Sequence, residues 1–351
     1  MSIYRISRRA VLGFLPLIAF AFVGCGGNSE DKKADTGKKA EAPAGDASGF
    51  KVALVTAGPV SDHGWNAGAY KALQTIQSEL HADIQNVQAS DAGAQEENLR
   101  SYASKKFNVV IGHGHEFEEP ALKIEGEFPN TQFLIPSGSK VGKNTTPISF
   151  KLEDGAYLLG MLAAGVSKTG KLGSVGAQKV PPLERTFKAF ELGAKAVRPD
   201  IIVIPPVYTG SWDDVVKAQQ QTTALLTQGA DVIMQDVDAA ALGVFNAVKK
   251  ASTPEKPLYA LGTNSDQNAV VEDVVLASAP IYYDKPIVDL AKKIQAGGYT
   301  PSIGNFGLKE GAIDFILNPK LDSRVSADLK AKIEAAKKSI LDGKLDVLKG
   351  S

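Results

Sequence analysis

The sequence predicts an α/β protein built as two doubly wound, parallel-sheet lobes. From Lys51 onward, short β-branched runs alternate with longer amphipathic stretches. That is the pattern of βαβ units, whose strands lie parallel and are covered on both faces. The alternating part runs for about 300 residues, which favours two lobes of about five strands each over one large core. One cysteine in 351 residues excludes a disulfide framework, so the 44% apolar content must supply the core.

At the amino terminus, Arg5, Arg8 and Arg9 precede an apolar run of about 14 residues, 10–23, that leads to Gly24-Cys25. A basic start, a short apolar stretch and a small residue before the break read as a secretory signal over residues 1–24. The run falls short of the roughly 20 residues a membrane-spanning helix needs. Cys25 at the cleavage point resembles the lipobox of bacterial lipoproteins, where the thiol is acylated, although Phe22 stands where leucine is usual. Ser7-Arg8-Arg9 with Val11-Leu12 also resembles a twin-arginine signal, so both export routes stay open. Beyond Cys25, the segment to residue 49 holds charges, Gly, Ala and Pro, with no aromatic or large aliphatic side chain. Such a stretch buries too little to order itself. As a 24-residue flexible tether it spans roughly 25–30 Å root-mean-square. The chain has 39 basic and 39 acidic residues, so loss of the leader arginines leaves a net charge near −3. No basic surplus remains for a nucleic acid.

The folded body is expected to begin near Phe50. Its strands are read at residues 52–57, 84–89, 109–112, 132–136, 148–151, 172–175, 201–207, 232–235, 258–261 and 274–277. Helical spacing appears at 67–80, where Tyr70, Leu73, Ile76 and Leu80 recur, and at 215–228, 242–250 and 287–296. The lobes are drawn as 50–149 with 280–298, and 150–279 with 299–320, leaving 321–351 as a carboxy-terminal helical segment.

In such sheets a ligand sits beyond the carboxyl ends of the strands. The loops at those ends hold Asp62-His63-Gly64-Trp65-Asn66, Gly112-His113-Gly114-His115-Glu116, Gly210-Ser211-Trp212-Asp213 and Asn264-Ser265-Asp266-Gln267. Both tryptophans of the chain fall in these loops, flanked by polar residues. They read either as caps on their own helices or as two plates, one per lobe, for a flat ring. Asn66 offers a donor and an acceptor for a ring edge, and Asp62 or Asp266 accepts from ring N–H groups or sugar hydroxyls. His63, His113 and His115, with Glu116 nearby, form an alternative metal cluster. His113 and His115 alternate across a strand end, however, which points them to opposite sides. No nucleophile elbow, phosphate loop or paired acid and base stands out, so an enzyme is not expected.

At these residues the chain resembles the basic membrane protein (BMP) family of bacterial lipoproteins, substrate-binding components of ABC transporters for purine nucleosides. The resemblance spans about residues 51–316. It rests on Asp62-His63-Gly64-Trp65-Asn66, Leu158-Leu159-Gly160-Met161-Leu162-Ala163, Gly170-Lys171-Leu172-Gly173, the Tyr208–Asp214 loop, Gly229-Ala230-Asp231-Val232-Ile233 and Asp266-Gln267. It implies a type I periplasmic binding protein, two α/β lobes on a three-segment hinge with the ligand between them. It also implies ring-stacking places for Trp65 and Trp212, which are usually phenylalanine. Base-edge contacts fall to Asn66 and the loop carrying His115 and Glu116, and a further ligand contact to Asp266.

Two departures bear on the ligand. Ala279-Pro280-Ile281 follows Ser278 where the family tends to carry a lysine that reaches the sugar, and Asp236-Val237-Asp238 replaces a glycine-rich turn. Asp238 is retained among the ligand contacts. The expected ligand is a purine, as free base in preference to nucleoside, taken up with an ABC permease by a monomer anchored through Cys25 on the extracytoplasmic side. No cofactor is expected. A sugar or autoinducer receptor on the same fold, a metal-binding lipoprotein and a membrane-coupled sensor are the alternatives.

Overall fold

The computed structural model describes residues 49–62 and 64–349; the leader, Cys25, the tether and His63 lie outside the described residues. The chain first lays down β1 (Lys51–Thr56), α1 (Trp65–Leu80), β2 (Asp83–Gln88), α2 (Ala92–Ser104), β3 (Val109–His113), α3 (Glu118–Ile124), β4 (Gln132–Pro136) and β5 (Thr145–Phe150). It continues with α4 (Leu152–Val166), β6 (Lys171–Gly176), α5 (Pro181–Val197), β7 (Ile202–Val203), β8 (Val207–Tyr208), α6 (Val215–Thr227) and β9 (Val232–Asp236). Then come α7 (Ala241–Ala251), β10 (Tyr259–Asn264), β11 (Val275–Pro280), α8 (Asp284–Gln295), β12 (Gly304–Phe306), β13 (Ile316–Leu317) and α9 (Ala327–Leu341).

These strands form two sheets with the same winding. The first runs β12-β5-β4-β3-β1-β2 and is parallel throughout. The second runs β13-β11-β10-β9-β6-β7, with β8 also on β6, and only β13 is antiparallel. Strands β3, β9, β10 and β11 are buried along their whole length, as expected of parallel strands covered on both faces. The chain crosses between the sheets three times: through α4 after Phe150, back after Pro280 into α8, and again between Phe306 and Ile316. The fold is the expected α/β fold of two doubly wound lobes.

Several expectations are corrected. The strand read at 201–207 is two short strands, because Pro205-Pro206 removes two backbone donors in its middle. Residues 299–320 do not lie wholly with the second lobe, since β12 hydrogen-bonds beside β5 in the first sheet while β13 joins the second. The drawn boundaries shift by one residue, with Phe150 in the first sheet and Pro280 in the second. The expected carboxy-terminal helical segment holds α9, whose Leu329 packs against Gly165 of α4. In the second lobe, α4 is buried on almost every side. It crosses α5 closely enough that a Cβ on Gly160 or Gly193 would lie 2.0 or 1.9 Å from a backbone carbonyl of the other helix.

Candidate ligand cleft

Between the sheets lies a cleft whose empty space, open solvent at its mouth included, is about 850 Å³. Its wall comes from the carboxyl ends of the strands: Gly58 after β1, His115 after β3, Ser137 after β4, Asp236 ending β9, Asn264 ending β10 and Ile281 after β11. This is where a doubly wound sheet opens room for a ligand. Three of the five non-glycine residues with positive φ among the described residues, Ser137 (65°), Asp238 (45°) and Asn264 (67°), line this cleft. Such backbone is costly for non-glycine residues and collects at functional sites.

Trp65 and Trp212 line the cleft from the first and second lobes respectively. Trp65 is held by a reciprocal clamp. Its indole stacks on the His113 ring with centroids 4.2 Å apart and planes 23° from parallel. Trp65 Nε1 donates to the His113 carbonyl at 3.3 Å, and His113 Nε2 bonds the Trp65 carbonyl at 2.9 Å. That carbonyl only accepts, so Nε2 carries the proton. Tyr283 stands perpendicular beside the stack, 5.5 Å from each ring. The indole face away from His113 is therefore the one left for the cleft. Burial pushes the His113 pKa down to about 3, so the ring is neutral at physiological pH.

Asp62 organises the start of α1. Its Oδ1 accepts from Gly64 N and Ala67 N at 2.9 Å each, and its Oδ2 from Asn66 N and Asn66 Nδ2 at 2.8 Å each. A carboxylate suits a helix amino terminus, where backbone donors lack partners. The expected ligand contact at Asp62 is thus corrected: the carboxylate is engaged by the helix and absent from the cleft wall. The bond from Nδ2 fixes the orientation of the Asn66 amide. It leaves Asn66 Oδ1 buried, without a protein partner, on a residue that lines the cleft.

Carboxylates line the same cleft. Glu116 keeps surface open to the cleft, yet protein encloses it, and desolvation raises its pKa. Asp238 is buried, and burial together with the charges of Asp62, Asp236 and Glu116 holds its pKa well above the usual range. Burial lifts Asp236 to about 6. Asn264 Nδ2 bridges this pair, donating to Asp236 Oδ1 at 3.0 Å and Asp238 Oδ1 at 3.3 Å. Glu153 lies 3.5 Å from Arg185, and its pKa is still raised by burial. No lysine or arginine lines the cleft among the described residues.

The structure therefore brings together Trp65, Asn66, His115, Glu116, Trp212 and Asp238 from the expected set. Asp266 is not among them: it is exposed, and its Oδ1 accepts from Asn268 N at 3.1 Å. Its neighbour Asn264 faces the cleft instead. Sequence reasoning did not assign Asp236, Asn264, Glu153, Ser137 or Phe150 to the site, although each sits at a strand's carboxyl end or just past one. For the metal alternative, His113 is engaged by the Trp65 clamp and His63 lies outside the described residues. Among the described residues no three His, Cys, Asp or Glu side chains are placed to hold a metal ion.

Residues 50–346 match a family described as ABC transporter substrate-binding protein, PnrA-like. The CD4+ T-cell-stimulating antigen of Listeria monocytogenes is 29% identical over 342 residues, covering 92% of this chain and 93% of that one. An ABC transporter nucleoside-binding protein of Lactococcus lactis is 27% identical, covering 85% and 89%. A purine-binding protein of Brucella abortus is 24% identical, covering 86% of each. Among solved structures, an ABC transporter solute-binding protein of Aeropyrum pernix superposes with a TM-score of 0.78 at 20% identity, covering 85% of this chain and 92% of that one.

Proposed function

The chain belongs to the Bmp family of PnrA-like ABC transporter substrate-binding proteins, and from that premise we propose that it captures a purine between Trp65 and Trp212. The observation that carries this reading is that both tryptophans, one from each lobe, line one cleft, with Trp65 backed by His113 so that one indole face remains for a ligand. Offset stacking on indole selects a flat ring by shape. The cleft amides and carboxylates then read its edge through N–H groups. Closure of the lobes around the ring excludes water and completes contacts that neither lobe makes alone. The purine-binding and nucleoside-binding names of the Brucella and Lactococcus relatives agree with this assignment.

The free base is preferred to the nucleoside. The Ala279-Pro280-Ile281 segment contributes only Ile281 to the cleft wall, an apolar side chain that offers nothing to a sugar hydroxyl. Calorimetry on the full-length protein with adenine, hypoxanthine and guanine, each against its nucleoside, tests both levels. Tighter binding of the bases is expected. Tighter binding of the nucleosides overturns the preference, and binding of neither overturns the purine reading. Cys25 carries the lipid anchor in this account and presents the receptor to an ABC permease outside the cytoplasm. Substituting Cys25→Ser should therefore move the protein from the membrane fraction to the soluble one.

A further inference from the structure

Three donors of the cleft are already engaged by the protein itself. Asn66 Nδ2 is held by Asp62, Asn264 Nδ2 by Asp236 and Asp238, and Trp65 Nε1 by the His113 carbonyl. What these groups leave facing the ligand is acceptor capacity: the partnerless Asn66 Oδ1 and the carboxylates of Glu116 and Asp236. A buried acceptor without a partner is costly, on the order of 1–3 kcal/mol. A bound ligand relieves that cost only by bringing N–H groups. Glu116 differs from the other carboxylates: Asp236 and Asp238 share Asn264, and Glu153 faces Arg185, whereas no neighbouring side chain donates a hydrogen bond to Glu116.

Resting on the purine reading above, we infer that the cleft selects a ring edge carrying two adjacent N–H donors, read by Glu116 with Asn66 Oδ1 as a further acceptor, and that it rejects anionic ligands. A carboxylate accepts two parallel N–H bonds in one plane. Among purines, the 2-amino-6-oxo edge of guanine presents such a pair, N1–H beside N2–H. Hypoxanthine differs only by lacking the 2-amino group, so Glu116 then keeps one oxygen without its N–H. A phosphate meets the carboxylates without a partner, because no lysine or arginine among the described residues lines the wall.

Calorimetry on the full-length protein with guanine and hypoxanthine, with guanosine and inosine, and with guanosine monophosphate tests this. The 2-amino member of each pair should bind at least about tenfold tighter, which corresponds to one lost bond to a charged group. The monophosphate should bind at least about a hundredfold more weakly than guanosine, from like-charge juxtaposition. The variant Glu116→Gln should level the two purines, since an amide pairs with N1–H and O6 of either. Equal affinities in the unmodified protein, or a monophosphate as tight as guanosine, overturn the inference. If no purine binds, the reading beneath it has failed. The inference is then decided with tryptamine and indole-3-acetate, two indole ligands of opposite charge. Retention of tryptamine alone supports it, and any result in which the acetate does as well, including retention of neither, overturns it.

Discussion

Trp65 owes its orientation to His113 more than to its own helix. The stack and the two backbone hydrogen bonds hold the indole from one side and one end. Replacing Trp65 or Trp212 by Ala should each weaken ligand binding by about 1–3 kcal/mol, the worth of one base on one aromatic side chain. Titration of both variants by calorimetry checks this, and unchanged affinity in both would return the tryptophans to a packing role. Substituting His113→Ala should cost about 1–3 kcal/mol of stability, from one aromatic pair and one hydrogen bond. It should also loosen Trp65. In a Trp212→Phe background, where Trp65 is the sole indole, acrylamide should quench its fluorescence more readily once His113 is gone. Most of this site was legible in the sequence, because polar and aromatic residues at strand ends have no core to serve. Asp62 and Asp266, expected at the ligand, instead hold local backbone donors. Whether a carboxylate caps a helix or faces a ligand depends on where the loop turns, and residue type does not carry that. The sequence marks His113 only as a loop histidine, because its backing role needs β3 and α1 side by side.

The pairing of α4 with α5 sets the frame of the second lobe at the scale of elements. Gly160 faces the Phe190 carbonyl and Gly193 the Tyr157 carbonyl, each closer than any Cβ could approach. A Gly193→Ala change must push the helices apart, because backbone cannot swing aside as a side chain can. The expected loss is about 1–3 kcal/mol, at the upper end of that range because the obstacle is backbone. Gly126→Ala is the control, since a Cβ there meets nothing within 4 Å. Thermal unfolding of the two variants should show a clear drop for the first and little change for the second. The buried parallel strands were readable as short, largely apolar runs. Helix α4 was not, since it is buried on nearly every side and shows no polar face to mark a helical period. Strands β12 and β13 span three and two residues and exist only where the chain recrosses between sheets. A pattern so short carries no periodicity to read.

Across the whole molecule, the cleft sets carboxyl groups of the two lobes near one another, with Glu116 and the capping Asp62 on the first lobe and Glu153, Asp236 and Asp238 on the second. Burial raises Asp236 in the cleft and Asp154 at the third crossover, where it accepts from Leu308 N, from an ordinary 3.8 to about 6. Burial also raises Glu116, Glu153 and Asp238. An acid whose folded pKa is raised binds its proton in the folded state where the unfolded chain has already released it. Stability from these groups therefore grows as pH falls through about 6 toward 3.8. His113 acts in the opposite sense: held near 3 against an ordinary 6.5, it excludes a proton that the unfolded chain takes up below 6.5. Five raised carboxyls outweigh one lowered imidazole, so the Tm of the empty protein should rise between about pH 7.5 and about pH 5.5. A His113→Phe variant removes the opposing group and should rise further over the same interval. Ligand N–H donors stabilise the ionised carboxylates, so the extra Tm given by a saturating purine should shrink over that interval. A Tm that falls steadily from pH 7.5 to 5.5 in the empty protein would show that the cleft acids are already paired or solvated.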